Sequence, residues 1–581
     1  MISTIPLKNS TFDIIIISGE YYDDHPFSPV GVIARVLAAQ SYSVGIIEKP
    51  KTKADFTSLG LPKLFFGIAS GTVDSMLYNY SSLKRSRSED PHAFLPEIPE
   101  RAVIYYCNKL REYFPGCRLI LGGVEASLRR FAHYDYWDNK VRKSILLDSR
   151  ANLLIYGSGE KQILEVAEKI KNKQELKGIL GTSILSKELP PDFIELPAFQ
   201  EVNGDNEKSK IAFCKMQTQF SLHKNLAQRY DNNYILQYKY PEYTTKDLDW
   251  IYALPYTRQL HPQSLLGMAK FSVVTHRGCI GRCNFCSITL HQGDKIVSRS
   301  EENILKEIKD LTKHPDFEGY IDDLGGPSAN MYGMDCVTKC PKPCLGCTKL
   351  DRSHSKIIQL LRKARQIPGI KKIFIRSGIR YDLALESKEY LKEISEHHIS
   401  GCLKIAPEHF SSRVLKLMNK EDKTSKGKSS FEEFKQYFEV LNKNKNQSLR
   451  YYFMIGHPGD DEKEVSFLVS KLKQLQNLEQ FQIFTPTPMT DSTCMYWTGL
   501  NPSTLEKVKV IYDFKTKKRL RDMILDLTQE KTVPSTSSFT PRPSNFTPRP
   551  NSFTPKSNRF ASRPKSFTSR TSRPNYSKDF S

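Results

Sequence analysis

Three closely spaced cysteines constrain this chain more than any other feature. Cys279, Cys283 and Cys286 form a C-x3-C-x2-C segment directly after an apolar, strand-like run at residues 271–274. A 4Fe-4S cubane has four irons and normally takes four thiolates, so three thiolates leave one iron open to another ligand. The spacing therefore predicts an iron–sulfur cluster with one exchangeable position. The alternative is a zinc knuckle or three buried thiols, but a zinc site usually adds a fourth ligand at a comparable spacing.

Length and cysteine usage indicate a large protein of a reducing compartment. With 581 residues the chain exceeds one ordinary core, so we expect several domains. Seven of its 12 cysteines lie within residues 279–347, which is typical of metal sites and not of a disulfide framework. The apolar run at residues 14–17 is far too short for a membrane span, and the N-terminus lacks signal-peptide features. These features predict a cytoplasmic protein without a membrane segment.

The first part of the chain alternates short apolar runs with helical stretches. This pattern over residues 10–170 predicts an α/β domain with a doubly wound parallel sheet, Rossmann-like in organisation. Small residues at 70–72, 122–124 and 157–160 follow strands, where such sheets bind ligands. Residues 171–267 are rich in Lys, Asn, Gln and Tyr, and we interpret them as a bridging or insertion region.

The alternation returns in residues 268–500 and repeats six times. The predicted strands cover residues 271–276, 319–324, 372–377, 401–406, 448–455 and 481–485. Six βα units predict a partial, six-stranded relative of the β/α barrel, with ligands at the carboxyl ends of its strands. A C-terminal helical extension is expected over residues 501–532.

The last 49 residues form a basic tail with a repeat. Residues 533–581 carry nine lysines and arginines and one acid, within a chain of net charge +22. Phenylalanines recur every seven residues, each followed three residues later by a cation, at Phe539, Phe546, Phe553, Phe560 and Phe567. Prolines exclude a coiled coil, so we expect a disordered tail. Its aromatic and cationic side chains suit RNA or another polyanion, and a solubilising extension is the alternative.

The cysteine motif and the strand before it resemble the radical S-adenosylmethionine (SAM) superfamily. The resemblance implies a 4Fe-4S cluster, bound SAM, a partial barrel, and an electron donor such as flavodoxin or ferredoxin. It implies that Phe285 packs near the adenine, and that Gly325 and Gly326 let the backbone approach the methionine amino group. Pro327 stands where the superfamily often has an acid, so backbone carbonyls would do the binding, assisted by Asp322 or Asp323. The residues implied at later strand ends are Ser377, Glu408 for the ribose hydroxyls, and Gly456.

Longer strings are similar to the YgiQ-type radical SAM proteins over roughly residues 10–525. They lie at residues 24–26, 122–130, 277–288, 298–300, 325–332, 377–382 and 404–409. The resemblance implies reductive cleavage of SAM to methionine and a 5′-deoxyadenosyl radical, which takes hydrogen from an unidentified substrate. RNA is the most specific suggestion, from the basic tail. The alternative is a non-catalytic, metal-containing RNA-binding or assembly protein.

The first domain is similar to the cobalamin-binding domain that precedes many radical SAM barrels. Its lower-ligand motif, D-x-H-x-x-G, is incomplete in this chain. The segment at residues 23–28 contains Asp23 and His25, but Ser28 stands at the glycine position and Gly31 comes three residues late. We therefore expect a cofactor-free sheet that serves substrate binding or an interface, with cobalamin binding as the alternative.

A second cysteine group follows the second barrel strand. Its members, Cys336, Cys340, Cys344 and Cys347, have the spacing C-x3-C-x3-C-x2-C. Four thiolates can close the coordination shell of a structural zinc ion or of an auxiliary iron–sulfur cluster. Zinc, a cluster and unligated thiols all remain open from the sequence.

Overall fold

A ten-stranded sheet organises the first half of the protein. The computed structural model describes residues 1–6, 11–87, 98–264, 266–336, 338, 340, 344–423, 428–475 and 478–530. The strands of the first half are Ile2–Ser3 (β1), Ile14–Ser18 (β2), Val44–Glu48 (β3), Phe65–Ala69 (β4), Leu119–Leu121 (β5), His133–Asp135 (β6), Lys140–Arg142 (β7), Leu153–Ile155 (β8), Thr182–Ser186 (β9), Ile194–Leu196 (β10), Leu226–Tyr230 (β11) and Asn233–Gln237 (β12). All five side chains of β2 are buried, as expected for a central parallel strand.

The strand order is β1-β3-β2-β4-β5-β8-β9-β12-β11-β10. The strands from β1 to β8 are parallel, whereas β9 pairs antiparallel with both β8 and β12. The β6–β7 hairpin lies outside this sheet. The predicted α/β class with a large parallel sheet is thus confirmed. The topology has its switch point between β2 and β4, where a doubly wound sheet changes direction.

The region predicted as bridging or inserted contributes strands to the first sheet. Strands β9 to β12 lie within residues 171–267 and extend that sheet. Some of the polar residues in this region are internal. Gln228 is fully buried, and its side chain accepts a hydrogen bond from Ala132 N at 2.8 Å and donates to Pro197 O at 2.9 Å. Long-range partners that sequence patterning does not reveal therefore satisfy these amides.

Helices cover both faces of the first sheet. They are Pro29–Ala39 (α1), Lys53–Thr57 (α2), Ser75–Asn79 (α3), Ala102–Tyr113 (α4), Gly123–Ser127 (α5), Ile145–Asp148 (α6), Glu160–Lys171 (α7), Phe199–Val202 (α8), Glu207–Gln219 (α9) and Thr245–Tyr252 (α10). Helix α1 begins at a Ser28 cap, whose hydroxyl accepts from Gly31 N at 3.1 Å, with Pro29 at the first helical position. Ser28, which interrupts the cobalamin motif, is thus a helix cap.

The second half contains short strands, most of them paired in parallel. They are Val273–Val274 (β13), His276–Arg277 (β14), Val297–Ser298 (β15), Tyr320–Ile321 (β16), Leu324–Gly325 (β17), Lys372–Ile373 (β18), Cys402–Glu408 (β19), Ser448–Ile455 (β20) and Leu478–Ile483 (β21). Parallel pairing joins β13 to β17, β16 to β18, and β19 to β20 to β21, whereas β14 and β15 pair antiparallel. Every predicted barrel strand overlaps one of these strands. Closure into a single six-stranded barrel stays a prediction.

Helices connect these strands and end the described chain. They are Ile288–Gln292 (α11), Glu301–Leu311 (α12), Ser355–Arg365 (α13), Tyr381–Ala384 (α14), Lys388–His397 (α15), Ser412–Leu417 (α16), Ser430–Leu441 (α17), Glu462–Leu472 (α18), Asp491–Thr498 (α19) and Phe514–Glu530 (α20). Within the described ranges, 3-10 turns occur at Gly267–Ala269 and Ala329–Met331. No helix in the part of the chain that the structure describes is long and apolar enough to span a bilayer. The predicted tail, residues 533–581, lies outside the described residues.

The two halves share one hydrophobic core. It contains Tyr134 from β6 together with Met418, Phe484 and Cys494 from the second half. Tyr134 stacks on Trp497 of α19, with ring centroids 4.8 Å apart. This packing places the cysteine loop of the second half against the first, because Phe285 and Leu290 also contact the shared core.

Candidate active site

The C-x3-C-x2-C loop is closed by backbone contacts at both ends. Gly278 has a φ of +86°, and a Cβ built on it would lie 1.9 Å from Lys295 O, so only glycine fits. Cys279 N donates to Gly293 O at 3.1 Å, and Cys286 N donates to Cys283 O at 3.0 Å. The loop therefore has a defined course between β14 and α11.

A neighbouring segment pins the middle of the loop. Asn284 N donates to Met418 O at 2.9 Å, and Asn284 Nδ2 donates to Leu417 O at 2.9 Å. On the opposite side, Ser492 N of α19 donates to Asn284 O at 3.0 Å. One asparagine thus ties the cysteine loop to two other parts of the second half.

A buried cation lies beside the thiols. Arg380 Nη1 donates to Cys283 Sγ at 3.8 Å, while Arg380 Nε contacts both carboxylate oxygens of Asp382 at 2.9 Å. A Cβ on Gly281 would come within 2.7 Å of Arg380 Nη1, so this glycine lets the guanidinium approach the loop. Burial alone would lower the pKa of Arg380, but Asp382 and the Cys283 thiol hold it above its ordinary value.

The donor set of this loop fits an iron–sulfur cluster. Cys279, Cys283 and Cys286 are three half-buried thiols on one loop, and a cubane takes one thiolate on each iron. Burial raises the pKa of the Cys279 thiol, and it raises the pKa of Cys286 to about 12. Thiolates in this loop therefore need a positive partner, which the irons and Arg380 would supply.

Two glycines at the end of β17 leave room that side chains would fill. A Cβ on Gly325 would lie 2.3 Å from Ser377 Oγ, and one on Gly326 would lie 2.6 Å from the His276 ring. Asp323 Oδ1 accepts from Ser377 N at 3.1 Å, and burial raises the pKa of Asp323. His276 Nε2 is buried without a hydrogen-bond partner, and burial lowers the pKa of His276 to about 3. At this edge, backbone atoms are accessible to a ligand, and the neutral imidazole of His276 has an unsatisfied Nε2.

Glu408 offers a buried carboxylate oxygen that no group satisfies. It ends β19 after a bulge, with a φ of +67°, and is 4% exposed. Its Oε1 accepts from Lys420 Nζ at 3.0 Å, while its Oε2 has no hydrogen-bond partner. Burial raises the pKa of Glu408 against the opposing effect of Lys420, and the carboxylate interacts electrostatically with Cys286. An orphaned acceptor beside the cysteine loop is a position for a ligand hydroxyl.

Phe285 packs at the end of β20, against the residue that follows Gly456. The Phe285 ring packs edge-on against His457, with centroids 6.3 Å apart. Gly456 has a φ of +70°, and its N–H donates to Asp460 Oδ2 at 2.7 Å. His457 Nε2 contacts Ser492 Oγ at 2.6 Å. The structure places Phe285 on the cysteine loop, and half-buried Pro327 directly after the glycine pair. The other predicted residues lie at the end of a strand or within four residues after one: Gly325, Gly326, Ser377, Glu408 and Gly456.

The incomplete cobalamin motif contacts residues 257–270, the connector between the two halves. His25 is buried, its Nε2 contacts Lys270 O at 3.0 Å, and its Nδ1 accepts from Phe27 N at 3.1 Å. Asp24 accepts from Thr257 N at 3.0 Å and pairs with Arg35. Both imidazole nitrogens of His25 are therefore engaged by protein.

Comparisons with known proteins decide the family. The Radical SAM N-terminal model matches residues 6–274, and the Radical SAM superfamily model matches residues 273–472. A UPF0313 protein of Clostridium botulinum is 42% identical over 561 residues, covering 90% of this chain and 87% of the relative. One from Methanosarcina mazei is 40% identical over 581 residues, covering 88% and 91%. The chain belongs to the YgiQ-type, UPF0313 family of radical SAM proteins.

A solved radical SAM enzyme shares the fold of this family member. The radical SAM methyltransferase TsrM of Kitasatospora setae, with tryptophan substrate and a SAM analogue bound, aligns with a TM-score of 0.50 at 13% identity. The alignment covers 89% of this chain and 88% of TsrM. Another TsrM structure, with cobalamin and a 4Fe-4S cluster, aligns with a TM-score of 0.49. Membership of the radical SAM superfamily makes this chain an enzyme, whose substrate is unknown.

Sequence reasoning missed three polar groups of this radical SAM enzyme's site. Arg380 lies within a string that supported the family resemblance, yet nothing in that string indicates contact with Cys283. Lys420 lies in a lysine-rich stretch that reads as solvent-facing. His276 adjoins the cysteine motif, and its position directly before Arg277 and Gly278 was the one available signal.

Proposed function

We propose that this enzyme binds a 4Fe-4S cluster through Cys279, Cys283 and Cys286 and cleaves SAM reductively beside it. When bound, the cluster supplies the electron that releases methionine and a 5′-deoxyadenosyl radical from SAM. The observation that carries the proposal is the unsatisfied, buried Oε2 of Glu408 next to the cysteine loop. A hydroxyl of the SAM ribose would donate to it.

The chain's own residues would hold SAM by several contacts. Gly325 and Gly326 would let backbone carbonyls approach the methionine amino group, since side chains there would collide with Ser377 and His276. Phe285 would pack near the adenine. Lys420 would hold Glu408 in place by its ion pair at 3.0 Å.

The first test is formation of 5′-deoxyadenosine. Anaerobically reconstituted wild-type protein, reduced in the presence of SAM, should form it, and Cys283→Ala should not, because the variant lacks one cluster ligand. Chromatography measures the product. Cys402→Ala, a half-buried thiol on β19, is the matched control and should keep wild-type levels. Wild-type protein that forms neither 5′-deoxyadenosine nor the broad iron–sulfur absorption would contradict the proposal.

RNA is the substrate class that we propose. The support is charge: the chain carries +22 overall, and its tail alternates phenylalanine with lysine or arginine. Aromatic rings stack on bases and cations meet phosphates in sequence-tolerant binding of single strands. We therefore propose that the radical reaction modifies an RNA that the basic tail binds.

Truncation after Thr532 tests the role of the tail. The truncated protein should lose affinity for single-stranded RNA several-fold, and the salt dependence of its binding should be shallower, because fewer phosphates are neutralised. Fluorescence anisotropy at two salt concentrations measures both effects. A full-length variant with the five repeat phenylalanines replaced by leucine separates stacking from charge. Unchanged affinity after truncation would contradict an RNA role for the tail.

We also propose that His25 is not a cobalt ligand. Both of its ring nitrogens already contact Lys270 O and Phe27 N. Coordination would require breaking the contact to Lys270, which helps to hold the connector between the two halves.

A further inference from the structure

The second cysteine group lies directly against the first cysteine loop. Cys344 is 4% exposed and belongs to a small apolar cluster with Ile280 and Ile296, against which Cys279 and Cys347 pack. Ile280 directly follows Cys279 in the loop. Cys344 and Cys347 therefore pack in the same environment as Cys279, although Cys279 and Cys344 lie 65 positions apart in the sequence.

Lys295 connects the two groups. Its Nζ donates to Cys344 Sγ at 3.4 Å and to Cys340 O at 3.2 Å. Its backbone oxygen is the atom that excludes a side chain at Gly278, next to Cys279. An ammonium that donates to sulfur stabilises a thiolate and orients a metal ligand.

The two groups form the same turn. Cys347 N donates to Cys344 O at 2.9 Å, and Cys286 N donates to Cys283 O at 3.0 Å. In both, a C-x2-C pair closes on itself through its backbone. Arg352 supports the second turn by donating to Cys347 O at 3.4 Å. All four cysteines belong to the described residues, whereas positions 337, 339 and 341–343 between them do not.

The arrangement favours a cluster over a single zinc ion. Zinc takes its four ligands at about 2.3 Å from one point, so its thiols must converge. No such convergence of three ligand side chains occurs within the described ranges. The first group, which the family assigns to a cubane, shares this property. A cubane with four thiolates distributes them over four irons.

From these contacts we propose that Cys336, Cys340, Cys344 and Cys347 ligate a second iron–sulfur cluster, packed against the loop of the first. This centre goes beyond the proposed function, because SAM cleavage at the first loop does not require it. Its four thiolates leave no iron open, so it would not bind SAM.

Metal counting on the full-length protein tests this proposal. The decisive variant replaces Cys279, Cys283 and Cys286 with alanine and leaves the second group intact. After anaerobic reconstitution, wild type should contain about eight irons per chain and the triple variant about four, with matching sulfide. Plasma emission spectrometry measures iron and zinc together, and Mössbauer spectra of wild type count the clusters without any substitution.

Two controls make the outcome specific. Cys344→Ser/Cys347→Ser should halve the iron content while 5′-deoxyadenosine is still formed, and Cys402→Ser should leave the iron unchanged. One zinc per chain and no iron in the triple variant would overturn the second cluster in favour of structural zinc. A triple variant with neither metal, together with wild type at about four irons, would show unligated thiols. Wild type without 5′-deoxyadenosine but with iron in the triple variant would contradict only the proposed function.

Discussion

Arg380, whose guanidinium lies beside the cysteine loop, is held by hydrogen bonds to both its side chain and its backbone. Asp382 holds the side chain, while Asn330 Oδ1 accepts from Arg380 N at 2.9 Å and Asn330 Nδ2 donates to Arg380 O at 3.0 Å. A positive charge and an N–H donor at a cluster thiolate favour the reduced cluster. With the proposed cluster bound, Arg380 would make it easier for that cluster to accept an electron.

Arg380→Gln should shift the reduction potential of the first cluster to more negative values. A tenfold smaller ratio of reduced to oxidised cluster at a fixed potential would correspond to a shift of about 59 mV in the reduction potential of this one-electron step. Redox titration followed by electron paramagnetic resonance measures the shift. The control is Arg413→Gln, whose side chain is 49% exposed and pairs with Asp461. The same potential in Arg380→Gln and wild type would contradict this role.

Helix α20 is anchored by a buried lysine. Lys517 is 1% exposed, its Nζ donates to Tyr496 OH at 2.8 Å, and it lies 5.5 Å from the centroid of the Tyr136 ring. Burial, with a smaller contribution from Lys84, lowers the pKa of Lys517 from 10.5 to about 8. The folded state therefore disfavours the charged form of Lys517.

The stability of the protein should rise between about pH 8 and pH 10.5 because of Lys517. In this interval the unfolded chain binds the proton that the folded chain has released, so raising the pH favours folding. Lys517→Met should remove this contribution, which is of the order of 1–3 kcal/mol. Thermal unfolding at several pH values measures it, with exposed Lys518→Met as the control. Parallel pH profiles for wild type and Lys517→Met would be inconsistent with a depressed pKa.

Elements with local signals could be predicted from the sequence, and those that depend on distant partners could not. The cysteine motif at residues 279–286 and the cap at Ser28 act within a few residues, so their patterns are visible in the chain. Strands β9 to β12 extend the first sheet, and their buried side-chain amides, such as that of Gln228, have partners more than 30 residues away. Lys420 pairs with Glu408 only after β19 and α16 have folded together.

At the scale of the whole molecule, α9 and α19 join the two halves. Gln217 Nε2 donates to Met489 O at 3.0 Å and to Asp491 Oδ1 at 2.8 Å. The thiols of Cys214 and Cys494 lie 3.8 Å apart, both fully buried. The sequence alternation predicted the two α/β halves but not this junction, because α9 has no strong amphipathic pattern and its partners lie almost 280 residues away.

The shared core has a consequence for synthesis on the ribosome. Tyr134 lies in the first half, whereas Trp497, on which it stacks, leaves the ribosome much later. At about 5–20 residues per second, the nascent first half waits tens of seconds with that apolar surface uncovered. Slower initiation or lower temperature during expression should therefore favour soluble protein, since fewer incomplete chains would expose the same surface to one another at any moment.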